Sequence, residues 1–400
     1  MSVTSVPGFE ASGVAAGIKP SGAPDLAVVA TADRVPVAAA GVFTTNLACA
    51  APVQISRRHL ADGRAAAVVL NSGNANAATG DAGRADALRM CELAATGLGV
   101  STTDVLVCST GLIGIPMRME PLESGIPIAV ADLAPGPDAG HRAAVALMTT
   151  DTLAKEATAQ ADLGDGRSIR VGGIAKGAAM LAPSMATMLA VCTTDAVVTP
   201  DVLHAALERA VAESFNALIV DACTSTNDTV LVLANGAAGG PVIDTAGGHA
   251  FHALAEALGA VCSDLAAQMA ADAEGATKHV HLTVRGARSA AEARTAARAV
   301  AASQLVQCSL YGSDPYWGRV LSELGASGAF FDPEAVEIAY NGVTVCRDGI
   351  AALHDETSLT ASMAGRDITI VCDLHAGRGS AAVRFTDLTH AYVDENMGTS

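Results

Sequence analysis

The sequence is poor in basic residues. Lysine and arginine together number 24 against 41 aspartates and glutamates, and the formal net charge is -17. The densest basic clusters are pairs such as Arg57 and Arg58. A chain of this charge repels phosphate backbones and anionic lipid surfaces unless it carries a strong local basic patch. We therefore expect neither nucleic acid nor a membrane surface as a partner.

Paired cysteine motifs are also missing. The nine cysteines are odd in number, widely spread and never arranged as CxxC. Such a pattern matches neither a disulfide framework nor a zinc site, and it is typical of small buried side chains in a reducing compartment. We predict no metal site.

The chain has no basic leader followed by an apolar run, and no uninterrupted apolar stretch approaches the roughly 20 residues that span a bilayer. Half of its 400 residues are hydrophobic, which is ample material for a core of one large domain or two ordinary ones. We expect a soluble, cytoplasmic protein.

A loop rich in glycine and asparagine follows a predicted buried strand. The strand covers Ala65 to Leu70 and the loop covers Asn71 to Gly80. The loop lacks the GxGxxG spacing of a dinucleotide site. The loop either connects a strand to a helix, which its glycine-rich composition favours, or presents backbone amides to a ligand.

Another apolar strand, Val105 to Gly114, runs into Ser-Thr-Gly. This order places the Thr110 hydroxyl and the Gly111 amide at the strand end, where active sites commonly collect. Two such donors suit an oxyanion hole, although a polar turn after a core strand has the same pattern.

The stretch from Lys176 to Asp195 is mostly apolar but contains one lysine and a central threonine, Thr187. The lysine is either a surface residue or a desolvated functional one. Thr187 is either an ordinary core threonine or a nucleophile. If the bond between Ala186 and Thr187 is cut, the new α-amino group lies beside the threonine hydroxyl as its base.

A helical pattern runs from His249 to Glu274, with Gly275 as its expected C-terminal cap. This prediction places Glu274 in the last turn, where the helix dipole disfavours a negative charge. Glu274 is then either a functional acid or a solvated surface residue.

Strand and helix patterns alternate through the chain and predict an α/β fold. From Val280 onward we predict a smaller α/β subdomain. In it, Ser289 and Glu292 form a capping box, and Asn341-Gly342 forms the turn of a β-hairpin.

Nine sequence blocks, in this order, resemble the ornithine acetyltransferase family, the ArgJ-type glutamate N-acetyltransferases of arginine biosynthesis. Any one block is weakly specific, but their shared order along the whole chain is highly specific. The blocks are AAGVFTTN, NSGNANAATG, STGLIG, MTTD, KGAAMLAPSMATML, TSTNDT, DAEGATK, GSDPYWGR and HAYVDEN.

The resemblance implies a layered αββα sandwich of the ArgJ/DmpA-like, N-terminal-nucleophile type. It also implies self-cleavage into an α chain of residues 1–186 and a β chain of residues 187–400, which associate as an α2β2 heterotetramer. Within the β chain, residues 187–279 would complete the main domain, residues 280–380 would form the smaller subdomain, and the tail 381–400 would return to the active site.

The resemblance further implies the roles of individual residues. Thr187 would be the nucleophile, and Thr110 and Gly111 the oxyanion hole. The implied ligand contacts are Thr149 (with Thr150 as second choice), Lys176, Thr187, Glu274, Asn396 and Ser400.

The implied reaction moves the acetyl group of N2-acetyl-L-ornithine to L-glutamate through an acetyl-threonine ester, with no metal or organic cofactor. Three alternatives stay open. The enzyme could also use acetyl-CoA as a second acetyl donor, and no motif decides between one donor and two. It could be an amide hydrolase or aminopeptidase with a self-generated N-terminal threonine. Outside enzymes, it could be a small-molecule binding protein that has lost its activity.

Overall fold

A computed structural model describes residues 2–179, 188–221 and 223–398. The predicted cleavage residues Ala186 and Thr187 and the predicted ligand residue Ser400 lie outside the described residues.

Seventeen strands and eleven α-helices make up the described chain. The strands are β1 (Phe9–Val14), β2 (Leu26–Thr31), β3 (Val37–Phe43), β4 (Arg64–Ala65), β5 (Ala67–Asn74), β6 (Val105–Leu112), β7 (Lys155–Asp162), β8 (Ser168–Lys176), β9 (Leu189–Thr194), β10 (Leu218–Ile219), β11 (Thr229–Ala234), β12 (His279–Ala287), β13 (Glu337–Tyr340), β14 (Val343–Arg347), β15 (Ile350–Ala351), β16 (Asp367–Asp373) and β17 (Gly379–Thr386). The helices are α1 (Ala51–His59), α2 (Gly80–Leu98), α3 (Met119–Ala131), α4 (Pro137–Leu147), α5 (Pro200–Glu213), α6 (Gly248–Ala271), α7 (Ala290–Ala302), α8 (Gln304–Tyr311), α9 (Trp317–Ala326), α10 (Glu356–Met363) and α11 (His390–Glu395).

The chain forms two compact units. The first comprises Met1–Ala178, Ser184–Asn216 and Thr224–Met269, and the second comprises the remaining segments, chiefly Ala270–Ser400. These units are defined by contacts, whereas the predicted α and β chains are defined by a peptide cut. The predicted division at residues 186 and 187 therefore stays a prediction.

The first unit contains a four-stranded sheet in the order β1-β2-β5-β6. Its two inner strands, β2 and β5, are buried on both faces, and alternate residues enter two different cores, as the two-residue period of a strand requires. In β2, Ala27 and Val29 join one core, while Leu26 and Val28 join the other. Helices α1, α2 and α3 supply the rest of the second core.

The second sheet of this unit has six strands in the order β4-β3-β11-β9-β8-β7. Ile174 and Val191 of this sheet share the first core with β2, β5, β6 and helix α4. On its opposite face, α5 packs against β3, and Gly173 of β8 lies close beneath Val261 of α6. Helices, two sheets and helices thus form successive layers, which confirms the predicted α/β αββα class.

The second unit contains a seven-stranded sheet in the order β10-β17-β12-β16-β13-β14-β15, with α7 packed on β12 and β17. In it the predicted hairpin turn is confirmed, and the predicted capping box is confirmed for its Ser289 half, since the Glu292 carboxylate pairs with Arg288 instead. Ser289 caps α7 by accepting a hydrogen bond from the Glu292 amide at 3.2 Å. The β13–β14 turn has positive φ at Asn341 (48°) and Gly342 (81°), as a type I′ hairpin needs.

Helix α6 ends earlier than its sequence pattern indicates. It stops at Ala271, so Glu274 lies in a turn beyond the helix and the predicted dipole conflict in a last turn is wrong. The apolar residues that recur every three to four positions and pack the helix against its neighbours end at Met269, and the chain then turns. Gly275 has φ 63°, and a Cβ there would lie 2.2 Å from the Tyr392 nitrogen. The glycine is needed because two backbone segments meet there.

One helix in the described part of the chain, α6, is long and apolar enough to span a membrane by length and composition, and 56% of its most apolar window is buried in the protein. Its contact with β8 is that of a core helix.

Candidate active site

The predicted oxyanion-hole residues lie where β6 ends. Strands β5 and β6 are parallel, and the register pairs Ser72 with Thr110 and Gly73 with Gly111. Thr110 is buried, whereas Gly111 is exposed and has φ 133°. A Cβ on Gly111 would lie 2.4 Å from the Gly73 carbonyl carbon. The position therefore requires glycine, and the site offers a buried hydroxyl beside an accessible backbone.

The asparagine-rich loop after β5 is held by its own side chains. Strand β5 continues to Asn74, so the first residues of the predicted loop are strand. The Asn74 side chain donates to the Ile115 carbonyl (3.1 Å) and accepts from the Asn76 amide (2.7 Å). These asparagines stabilise the connection between β5 and α2.

Asn227 is a site residue that the sequence reasoning did not select individually. Its buried amide donates to the Ala75 carbonyl at 2.6 Å and to the Ser109 carbonyl at 2.9 Å. It thereby joins the TSTNDT block to the loop after β5 and to the residue before Thr110. Its signal in the sequence was the polar run between two core strands.

A buried ionic cluster lies near the end of β8. The Lys155 Nζ is 2.6 Å from Asp151 Oδ1, and the Lys176 Nζ is 3.9 Å from Asp151 Oδ2. All three side chains are almost completely buried. Lys176 is therefore the desolvated alternative that the sequence left open. Asp151 and Lys155 were not predicted, although Asp151 closes the MTTD block.

Backbone amides complete the surroundings of Asp151. Its Oδ1 accepts from the Gly177 amide at 2.8 Å, and its Oδ2 accepts from the Thr149 amide at 3.0 Å. The structure therefore brings Thr149 and Lys176, two predicted ligand residues, to one carboxylate.

The charge state of this cluster follows from its contacts. Burial opposes ionisation of Asp151, but the adjacent charges of Lys176 and Lys155 and the hydrogen bonds lower its pKa to about 2. Asp151 is thus a carboxylate at neutral pH. Two ammonium groups around one carboxylate leave an excess of positive charge, which suits an anionic group of a ligand.

Asp228 lies at the start of the central strands of the same sheet. The register pairs Leu189 with Lys176 on one side and with Thr229 on the other. The Met188 amide donates to Asp228 Oδ1 at 2.7 Å. Burial raises the pKa of Asp228 well above its usual value, against the opposing effects of the Met188 amide, the Ser225 hydroxyl and the Lys176 charge.

In the second unit, Glu274 and Asn396 are brought together from distant parts of the chain. The Asn396 side chain donates to Glu274 Oε2 at 2.8 Å and to the Tyr392 carbonyl at 2.9 Å. The Thr389 hydroxyl donates to the Gly275 carbonyl at 2.7 Å and also caps α11. The tail is therefore anchored on the turn that carries Glu274.

No cluster of three or more histidine, cysteine, aspartate or glutamate side chains that could hold a metal ion occurs within residues 2–179, 188–221 and 223–398.

Comparison with known proteins identifies the family. The family model described as the ArgJ family matches residues 10–398. The arginine biosynthesis bifunctional protein ArgJ of Thermobifida fusca is 48% identical over 400 residues and covers 100% of both chains. The protein of the same name from Symbiobacterium thermophilum is 46% identical over 394 residues, covering 98% of this chain and 97% of its own. A solved ornithine acetyltransferase of Mycobacterium tuberculosis, complexed with ornithine, is 42% identical, covers 46% of this chain and 95% of that chain, and has a TM-score of 0.40. The chain belongs to the ArgJ family.

Proposed function

We propose that this protein is a self-cleaving acetyltransferase that moves the acetyl group of N2-acetyl-L-ornithine to L-glutamate in arginine biosynthesis. The observation that carries the proposal is 48% identity over the full chain to a relative named arginine biosynthesis bifunctional protein ArgJ. The described geometry supports it, because Thr110 and Gly111 end one strand and a buried cationic cluster ends another within the same unit.

The first half-reaction forms an acetyl-enzyme. The Thr187 hydroxyl attacks the acetyl carbonyl, and its proton passes to the Thr187 α-amino group, whose ordinary pKa of about 7.7 to 8.0 suits a base near neutral pH. Thr110 and the Gly111 amide stabilise the oxyanion. The C–N bond then breaks, ornithine leaves with the proton, and an acetyl-threonine ester remains.

The second half-reaction reverses these steps with a new acceptor. The glutamate amine attacks the ester carbonyl, the C–O bond breaks, and the threonine hydroxyl recovers its proton. Water competes with glutamate for the ester, so transfer requires a site that excludes it.

Charge assigns the proposed ligand contacts. In the first unit, Lys176 and Thr149 lie at the buried cationic cluster and suit a substrate carboxylate. In the second unit, Glu274 supplies a carboxylate for an ammonium group, and Asn396 orients it. Ser400 remains a proposed contact at the chain end.

Self-cleavage would leave two chains that remain associated. Strands β9 and β11, which follow the proposed cut, lie between β3 and β8, which precede it. Separation of the chains would break the β3–β11 and β8–β9 ladders and open the core between the two sheets. An α2β2 heterotetramer in the cytoplasm is part of the proposal, and native mass spectrometry with gel filtration tests it.

The cleavage test uses a denaturing gel and N-terminal sequencing. Purified protein should give two fragments, and the β fragment should begin TMLAVCTTD. A Thr187→Ala variant should remain uncut and inactive. An intact wild-type chain that still transfers acetyl groups would overturn the free-amine mechanism.

The transfer test measures acetyl exchange between N2-acetylornithine and glutamate, with and without acetyl-CoA. Exchange without acetyl-CoA supports the transferase, and additional acetylation of glutamate from acetyl-CoA supports the bifunctional form that the relatives' names describe. A Thr110→Ala variant should lose about 10²- to 10³-fold in kcat. Acetate release without glutamate at the same rate would instead support the amide hydrolase.

A further inference from the structure

Lys19 is a half-buried cation of the first unit that the proposed mechanism does not use. Its Nζ donates to the Pro24 carbonyl at 2.7 Å and to the Met148 carbonyl at 2.6 Å. Hydrogen bonds from a charged donor are roughly twice as strong as neutral ones. Met148 opens the MTTD block and directly precedes Thr149, so Lys19 contacts the segment that carries a predicted ligand residue.

The backbone of Lys19 is held by a buried carboxylate. Asp25 is completely buried. Its two oxygens accept four backbone amides, those of Ala16 (2.7 Å), Gly17 (3.2 Å), Ile18 (2.6 Å) and Lys19 (2.9 Å). Four amides around one carboxylate fix the loop of residues 16–19, and therefore the point from which the Lys19 side chain starts.

The Lys19 side chain runs past the strand end beside the candidate oxyanion hole. A Cβ on Gly73 would lie 3.2 Å from Lys19 Cγ. Gly73 belongs to β5 and is paired in register with Gly111. The stem of the lysine therefore passes beside the end of β5 before its ammonium reaches the Met148 carbonyl. One side chain thus connects this strand end to the MTTD segment.

The peptide group between Met148 and Thr149 is held at both of its polar atoms. Its carbonyl oxygen accepts from Lys19, and its amide donates to Asp151 Oδ2 at 3.0 Å. A peptide group is planar, so these two bonds fix the plane from which the Thr149 side chain departs. The segment lies outside regular secondary structure, between α4 and β7, so these contacts take the place of the ladder that holds a strand.

We propose that Lys19 is a positioning residue of the proposed carboxylate subsite: it fixes the peptide group between Met148 and Thr149 and so orients Thr149 towards a substrate carboxylate. The inference rests on the proposed function, because it takes Thr149 and Lys176 as contacts of that carboxylate.

The charges around Lys19 link it to the same subsite. Burial lowers the pKa of the Lys19 ammonium, and so does the nearby charge of Lys176, whereas Asp25 and Asp151 raise this pKa. The Asp151 oxygen that accepts the Thr149 amide also lies 3.9 Å from Lys176 Nζ. Lys19 and Lys176 therefore both interact with Asp151, and Lys19 adds positive potential where a substrate carboxylate would bind.

The test compares the full wild-type chain with Lys19→Met, which keeps the apolar stem but removes the ammonium and both of its hydrogen bonds. KM for acetylornithine and KM for glutamate should each rise about tenfold, because both substrates carry an α-carboxylate, and kcat should change less than about threefold. Self-cleavage involves no substrate carboxylate and should go to completion as in wild type. Lys19→Arg restores a cation with several donors and should recover part of the loss in KM.

A substrate analogue separates positioning from a general loss of structure. The α-carboxamide of N2-acetylornithine keeps the acetyl group but lacks the carboxylate charge. Lys19→Met should lower kcat/KM for acetylornithine about tenfold and change kcat/KM for the carboxamide less than about threefold. If Lys19→Met does not fold, Lys19→Gln, whose shorter uncharged amide cannot replace the ammonium, should show the same difference between the two substrates.

Arg118→Met is the matched control. The exposed Arg118 side chain donates to the Gly17 carbonyl at 2.8 Å, so it anchors the same loop through a bond that does not involve the MTTD segment. This variant should leave KM for both substrates within about threefold of wild type.

Three results would overturn the inference alone while wild type is cleaved and active. The first is an unchanged KM for both substrates in Lys19→Met. The second is an equal loss of kcat/KM for acetylornithine and its carboxamide, which would show a merely structural role. The third is an equal rise of KM in Arg118→Met, which would assign the effect to the loop as a whole. A wild-type chain that does not transfer acetyl groups would overturn the proposed function and this inference with it.

Discussion

The two groups of candidate site residues are built in opposite ways. In the first unit, Asp151 lies between two lysines in the segment that precedes β7, its side chain is 0% exposed, and two backbone amides also contact it. In the second unit, Glu274 and Asn396 lie on a turn and a tail helix, and Asn396 is exposed. Burial ties the first group to the stability of the fold, whereas the second group is available to bind ligands at little structural cost.

The largest effect on stability should come from Asp151→Asn. The substitution leaves Lys155 and Lys176 buried without their carboxylate, and breaking a buried pair costs about 3 to 5 kcal/mol. Urea denaturation measures the change. The control is Asp132→Asn, which breaks the exposed pair with Arg142 and should change stability by less than about 0.5 kcal/mol. Equal effects of the two substitutions would contradict the contrast between buried and exposed charges.

Asp151 also predicts a pH dependence. Its folded pKa, about 2, lies below the unfolded value near 3.8. The stability that it contributes is therefore present above about pH 4 and is lost as pH falls towards 2, by about 2 kcal/mol. The difference in unfolding free energy between wild type and Asp151→Asn should shrink over that range. A difference independent of pH would show that the carboxylate charge does not stabilise the fold.

A somewhat smaller effect should follow Gly111→Ala. The positive φ and the 2.4 Å approach to the Gly73 carbonyl carbon should cost about 2 to 3 kcal/mol and shift the end of β6. The matched control is Gly259→Ala in α6, where no atom outside the neighbouring backbone of the helix lies within 4 Å of an added Cβ. That change should stabilise the protein by about 0.5 to 1 kcal/mol. Thermal unfolding of both variants measures the difference, and a stable Gly111→Ala variant would contradict the required close approach.

At neutral pH, Asp228→Asn should change the unfolding free energy in the opposite direction from Asp151→Asn. Burial raises the pKa of Asp228, so the folded state holds a proton that the unfolded chain releases above about pH 4. The contribution of the aspartate to stability is full below its unfolded pKa and falls as pH rises. The unfolding free energy of the asparagine variant should therefore rise relative to that of wild type between pH 4 and pH 7. Urea denaturation at both pH values tests this, and a relative loss at pH 7 would contradict a neutral Asp228.

The smallest effect on stability should come from Asn396→Ala. The lost hydrogen bonds are exposed, so unfolding free energy should change by less than about 0.5 kcal/mol. Because Glu274 would lose its orienting partner, KM for acetylornithine should rise about tenfold. Steady-state kinetics provide the measurement, with Glu395→Ala as the exposed neighbouring control. A large loss of stability with unchanged KM would place Asn396 in the structural framework of its unit.

Local sequence patterns predicted several elements of the fold. The hairpin at Asn341-Gly342 and the Ser289 cap depend on neighbouring residues, and both are confirmed. The end of α6 was wrong because the helical pattern does not show that the chain must turn at Gly275 to meet the tail.

The sequence by itself determined the family, the order of its blocks and the residue types of the proposed chemistry, because motifs and periodicities are local properties of the chain. Only the tertiary structure decided that Lys176 is buried beside Asp151, that Asp228 holds the Met188 amide, and that Glu274 meets Asn396. These contacts join residues far apart in the chain through strand register and burial. Register and burial also set the charge states, which is why Asp151 and Asp228, two aspartates of one unit, have pKa values shifted in opposite directions.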